Sequence, residues 1–182
     1  STSINANRAM DGIMKTQLLK QNDIKKVLPK GIKNVFFSDA DYSMFTETFL
    51  THKGFQGFKK WLKFSGIESV GQKQYWKRNY DCDNLANAYK TYMNLLHAKA
   101  NPLSFTESFK LGKKNETSAQ GVAVGVMYFE IKGKKTSSHH AINIAITKGL
   151  RNELTPIFIE PNAAGKIKLT KKERESIWYV NF

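Results

Sequence analysis

One cysteine occurs in the 182-residue chain, in the stretch Tyr80-Asp81-Cys82-Asp83-Asn84-Leu85. From there the apolar residues Leu85, Ala88, Tyr89, Tyr92, Met93 and Leu96 fall three and four apart. That spacing is one buried face of a helix. Asp81 is a good N-cap, because its carboxylate can accept the free N–H groups of the first turn. Cys82 is then the first residue inside the helix. The positive end of a helix dipole favours an anionic sulfur, the nucleophilic form of a thiol. Cys82 therefore reads as a nucleophile that needs a base.

Side chains two apart on a strand share a face. Residues 140 to 147 read as a strand, which points His140 the same way as Ile142, Ile144 and Ile146. That face needs cover, and the Leu85–Leu96 helix is expected to provide it. Cys82 and His140 then meet at one edge, as a thiolate–imidazolium pair suited to attack on an acyl carbon. A third group normally orients such a base. Glu160 ends the next strand before Pro161 and shares a face with Phe158, so it is the expected orienting acid. Asn143 is weaker, since its parity opposes that of His140, and Asn162 is another polar orienter.

Other readings of these residues stand beside this one. A lone cysteine is commonly a small buried apolar group, although Asp81, Asp83 and Asn84 are poor neighbours for that role. Glu160 can be a plain strand end. His139 and His140 are adjacent, so they point to opposite faces and do not share a metal. A zinc site from Cys82, His140 and a carboxylate lacks any paired Cys/His spacing. His52 and His97 read as surface or helix-face residues with no role.

The patches Asp-Cys-Asp-Asn-Leu-Ala, His-Ala-Ile-Asn-Ile-Ala and Ile-Phe-Ile-Glu-Pro, in that order, resemble the papain-like cysteine-enzyme superfamily, in the Cys–His–acid order of its transglutaminase-like members. They are most similar to the C-terminal cysteine-peptidase domain of fungal chimerolectin agglutinins and to related phage and bacterial domains. The resemblance covers roughly residues 75 to 182 and rests on these three short patches. It implies Cys82 as nucleophile, His140 as general base and Glu160 as orienting acid. It also implies an oxyanion donor from a Gln ahead of the cysteine. Gln72 and Gln74 lie there, Trp76 can wall the cleft, and the Cys82 N–H is a further donor. Agglutinin-type domains hold calcium near the site. Here Asn84 replaces the second acidic residue, and Asp81 and Asp83 are a thin ligand set for an ion that wants six or more oxygens. No cofactor is expected otherwise.

The elements that must position these groups follow from periodicity. Residues 6 to 20 are expected to form a helix with Met10, Ile13, Met14, Leu18 and Leu19 on its face, and residues 23 to 28 a short turn stopped by Pro29. Phe45, Phe49, Phe55, Phe58, Trp61, Leu62 and Phe64 predict one or two short helices, broken at Gly54 and ended near Gly66. Phe at this spacing is ordinarily packing, though exposed rings can serve as platforms for nucleic-acid bases. After Asn101-Pro102 residues 103 to 120 read as a loop with a short helix or strand. Strands are expected at 121–132, 140–147, 156–160, 166–169 and 177–182. Helices first and strands later make an α+β chain: an N-terminal helical part, and a nucleophile-bearing helix on a C-terminal antiparallel sheet. We expect a single domain over 1–182, with a helical, basic and aromatic-rich part at 1–70 and the catalytic core at 75–182.

Composition bounds the rest. Twelve Phe, seven Tyr and three Trp supply core material, and one cysteine forbids an internal disulfide. No run approaches membrane-spanning length. The expectation is a soluble protein, cytoplasmic or secreted without disulfides. The net charge of +14 points to a polyanionic neighbour or to a solvated basic surface. Lys77 and Arg78, just before Cys82, would attract an acidic substrate. The expected function is a cysteine hydrolase acting on a peptide or amide. The alternative is a non-catalytic basic protein of the same fold that binds nucleic acid or another polyanion.

Overall fold

The computed structural model describes residues 18–66, 80–100, 120–132, 137–162 and 165–182. The chain is α+β. Its strands are β1 (Leu19–Lys20), β2 (Asn34–Phe36), β3 (Asp41–Ser43), β4 (Gln120–Val122), β5 (Val124–Lys132), β6 (Ser137–Lys148), β7 (Leu154–Glu160), β8 (Gly165–Ile167) and β9 (Tyr179–Asn181). Its helices are α1 (Gln21–Val27), α2 (Gly54–Phe64), α3 (Cys82–Ala100) and α4 (Lys171–Glu175). A six-stranded sheet runs β2-β9-β5-β6-β7-β8, and a small sheet runs β1-β3-β4. The ladders from β9 through β8 are antiparallel, as expected, but β2 joins the far edge parallel to β9. The sheet is therefore mixed.

Of the helix expected over residues 6–20, residues 6–17 lie outside the described residues. Leu19 and Lys20 were expected to end a helix and instead pair with Tyr42 and Asp41. Burial alternates across the pair: Leu18 is 45% exposed and Leu19 is 0% exposed. Gly54 does not break its helix. A π-helical turn, Phe49–Lys53, flows into α2, and the Gly54 N–H donates to the Phe49 carbonyl. A Cβ at Gly54 would lie 2.7 Å from that carbonyl oxygen, so the wide turn demands glycine. The expected strand 121–132 is split at Ala123, where the chain passes from the small sheet to the large one. Helix α4 was not foreseen, although Thr170 and Glu173 form a capping box at its start.

Two cores lie on opposite faces of the large sheet. On one, Leu85, Tyr89, Met93 and Leu96 of α3 join Phe55, Phe58 and Leu62 of α2 over Val124, Ala145, Ile157 and Ile159. Complete burial of a side chain such as Met93 contributes about 1.5–3 kcal/mol. On the other face, Ile142, Ile144 and Ile146 pack with Leu19, Ile24, Tyr42, Met44, Phe129 and Phe182. The isoleucine face is thus covered by N-terminal segments and not by the cysteine helix. This corrects the expected packing. The reason is residue size: Ala141, Asn143 and Ala145 leave room for a helix to approach the sheet, and Asn143 anchors it.

Asn143 is fully buried, and its Nδ2 donates to the carbonyls of Ala86 on α3, at 2.8 Å, and Gly125 on β5, at 3.1 Å. Replacing it with Ala strands two buried carbonyls and leaves a void, at a cost of about 2–3 kcal/mol. Urea unfolding of Asn143→Ala measures this; a loss below about 0.5 kcal/mol would mean the anchor is dispensable.

Candidate active site

Cys82 sits where its sequence context puts it, at the first position of α3. Asn84 holds the helix start by accepting from the Asp81 N–H at 3.0 Å, and Leu85 N–H closes the first turn on the Asp81 carbonyl. The Asp81 carboxyl is pushed above its ordinary range, first by a hydrogen bond shared with Asp83, then by desolvation and the Asp83 charge. The thiol is half-buried, packed with Tyr128 against Ala86, Val126 and Ala141 on the α3 side of the sheet.

His140 approaches from the other side. It is opposite Phe129 on β5, and the two rings meet edge to face at 5.7 Å. Its parity with the isoleucines therefore holds, and parity alone separates it from Cys82. The resolution lies in strand length. The β6–β7 ladder begins at Asn143↔Ile159, so no β7 residue pairs with Ala141 or His140. Beyond that point the edge of β6 is open, and there the imidazole meets groups from both sides. His140 Nε2 donates to Glu160 Oε2 at 2.5 Å. The other Glu160 oxygen accepts the Asn162 backbone N–H at 3.1 Å. With Nε2 committed, Nδ1 is the nitrogen left for the sulfur.

The electrostatics match this placement. Burial draws the His140 pKa down, but hydrogen bonds with Cys82 and Glu160 and the charges on both outweigh it. The net result is a rise from 6.5 to about 9. The ring and its carboxylate are only 16% and 15% exposed, so solvent screens the pair weakly. The sign follows from linkage. Stability contributed by this imidazolium is complete below pH 6.5, the unfolded value, and is lost as pH rises through about 9.

Cys82, His140 and Glu160, named from sequence, thus converge. Asn143 belongs to the helix anchor described above, and Asn162 acts on Glu160 through its backbone. His97, read as a surface or helix-face residue, is a buried residue of α3, and desolvation lowers its pKa. His139 points away from His140 and lies 3.6 Å from Glu130. Gln72, Gln74, Trp76, Lys77 and Arg78 lie outside the described residues. Among the described residues, Asp81, Cys82 and Asp83 are near enough to share an ion, with ligand atoms within 4.8 Å of one another. Two carboxylates and a thiol supply too few oxygens for calcium.

Sequence reasoning missed Tyr128. Burial is the main cause of its raised pKa, with added contributions from the charges of Asp83, Tyr179, Cys82 and Asp81, so it stands beside the thiol. Trp178 and Tyr179 extend this aromatic wall, with ring centroids 5.3 and 5.4 Å from Tyr128. The hairpin register was the needed signal, because it places Tyr128 directly opposite Ala141. Periodicity within one strand does not reveal it.

NMR titration of the His140 ring checks the site. The wild-type ring should titrate near pH 9, and Cys82→Ser should lower that value by removing the largest of the interactions that raise it. An unshifted ring near 6.5, indifferent to the substitution, would contradict the geometry. Neither a scan of protein-family models nor a search of curated proteins gives a match to this chain, so the chemistry of the site stands on its own geometry.

Proposed function

We propose that the chain is a cysteine hydrolase, a peptidase or amidase of papain-like architecture working through an acyl-enzyme. One observation carries this reading: a single imidazole is held between the chain's one thiol and a carboxylate at an open sheet edge. A purely structural cysteine has no use for that arrangement.

The Cys82 sulfur attacks the substrate carbonyl carbon, forming a C–S bond while the π electrons move to oxygen. The Cys82 N–H, at the first position of α3 where the helix itself supplies no acceptor, is the donor for that oxygen. Gln72 or Gln74 would add to it. On collapse the C–N bond breaks, and the leaving nitrogen takes the proton from His140 Nδ1. A thioester and a neutral imidazole remain. Water then attacks the thioester, giving its proton to Nδ1 as it adds. Expulsion of the thiolate restores the ion pair, and the sum is amide plus water giving acid plus amine. Glu160 keeps the ring oriented and stabilises its charge throughout. An amine in place of water gives transglutaminase-type transfer with the same first half. No step draws on a cofactor; a calcium role for Asp81 and Asp83 follows from the resemblance alone.

A second reading, a non-catalytic polyanion-binding protein, has its own observation. Lys25, Lys26, Lys30 and Lys33 line a hollow of about 410 Å³ whose lining contains no acidic residue. Among the described residues no helix is long and apolar enough to cross a membrane, so the reading concerns surface contact.

Incubation with p-nitrophenyl acetate, followed by intact-mass analysis, separates the two. The wild type should form an acetyl adduct on Cys82 and turn over. Cys82→Ala should form none. His140→Ala should slow turnover by about 10²–10⁴-fold, and Glu160→Gln by at least about tenfold. No wild-type adduct, with salt-sensitive binding of a polyanion, would favour the second reading.

A further inference from the structure

The chain carries 29 basic and 15 acidic residues, yet the described residues flanking Cys82 in sequence, Asp81 and Asp83, are acidic. Asp81 and Asp83 flank the thiol, and neither forms an ion pair among the described residues. Their charges, with that of Cys82, act on Tyr128. Tyr128 in turn packs against Trp178, which is 41% exposed. Trp178 forms one wall of an open cavity of about 730 Å³, lined also by Glu130, His139, Lys172, Glu175 and Ser176. The cavity is thus separated from the nucleophile by the Tyr128 ring. Glu130 has the partly exposed His139 ring at 3.6 Å as its ion-pair neighbour, and Glu175 is bridged loosely to Lys171 at 3.9 Å, both at positions open to solvent.

Exposed aromatic faces with carboxylates on either side are a setting for cations. The ring quadrupole attracts an ammonium or guanidinium, and the carboxylates supply the counter-charge. A neutral sugar or apolar side chain could use the rings but would leave the carboxylates unanswered. An anionic group would meet Asp81, Asp83 and Glu130 together. Among the described lining residues Lys172, at the second position of α4, is the one lysine or arginine, against the two carboxylates Glu130 and Glu175.

We propose that the Trp178 cavity, bordered by the Tyr128 ring that packs beside Cys82, selects substrates with a cationic group, a lysine- or arginine-type side chain or a protonated amine, beside the scissile carbonyl. Tyr128 and Trp178 lie under that group, and Asp83 and Glu130 flank it. This inference rests on the hydrolase reading for its use but concerns access to the thiol, which is measured separately. It runs against steering of acidic substrates by Lys77 and Arg78, so the two are opposed in one experiment.

Two methanethiosulfonate reagents of similar size, one with a trimethylammonium and one with a sulfonate, report charge preference at a thiol. Their rates on the folded full chain, each divided by its rate on a small free thiol, give a ratio. The cation should be favoured at least tenfold at low salt, with the ratio shrinking toward unity as salt rises. Asp83→Asn, Glu130→Gln and Trp178→Ala should each lower the ratio by about threefold or more. The iodoacetamide rate of every variant serves as the neutral divisor, removing changes in the thiol's own reactivity. A ratio near one, or a preference for the sulfonate, overturns the proposal. Slow labelling by neutral iodoacetamide across pH 6–8 would instead sink the hydrolase reading, whatever the ratio.

Discussion

The structure depends on one difference in strand length. β7 stops at Glu160 while β6 extends past His140 to Ser137, so among the described residues the first residues of β6 have no strand neighbour on that side. A complete ladder there would seal the edge and keep His140 on the isoleucine face. The open edge lets one imidazole touch a carboxylate from β7 and a sulfur from α3. Pro161 follows Glu160 directly, and a proline cannot donate to a continuing ladder, which accounts for the stop.

The surrounding fold holds this meeting point on rigid parts. Helix α3 is fixed to the sheet by a buried amide that bonds both elements at once. Its middle is held through Tyr89, fully buried and donating its hydroxyl to the Leu50 carbonyl at 2.9 Å. Glu160 is clamped at both oxygens. Each of the three side chains thus comes from a helix or strand end seated in a core, and among the described residues a loop adds the Asn162 backbone N–H. Groups held this way keep their geometry without reorganising.

Much of this was legible in the chain. The N-cap aspartate and the three-and-four spacing gave the cysteine helix, and alternation gave β6 and β7. The three residues named from sequence do come together, but the packing argument that led to them was mistaken. Parity set the helix on the isoleucines, whereas it lies on Ala141, Asn143 and Ala145. The run Ala-Ile-Asn-Ile-Ala-Ile holds both faces of a doubly covered strand, and period alone does not say which partner takes which. The aromatic wall stayed hidden for a related reason: Tyr128, Trp178 and Tyr179 become neighbours only through inter-strand register. Leu19 and Lys20 look helical because their local spacing is helical; pairing with β3 overrides it.

The central claim is that an imidazolium touches the Cys82 sulfur, and the dependence of iodoacetamide alkylation on His140 tests it most directly. At neutral pH the folded wild type should be alkylated at least about tenfold faster than His140→Ala. Equal rates in the two proteins would show that the ring and the sulfur do not act as a pair.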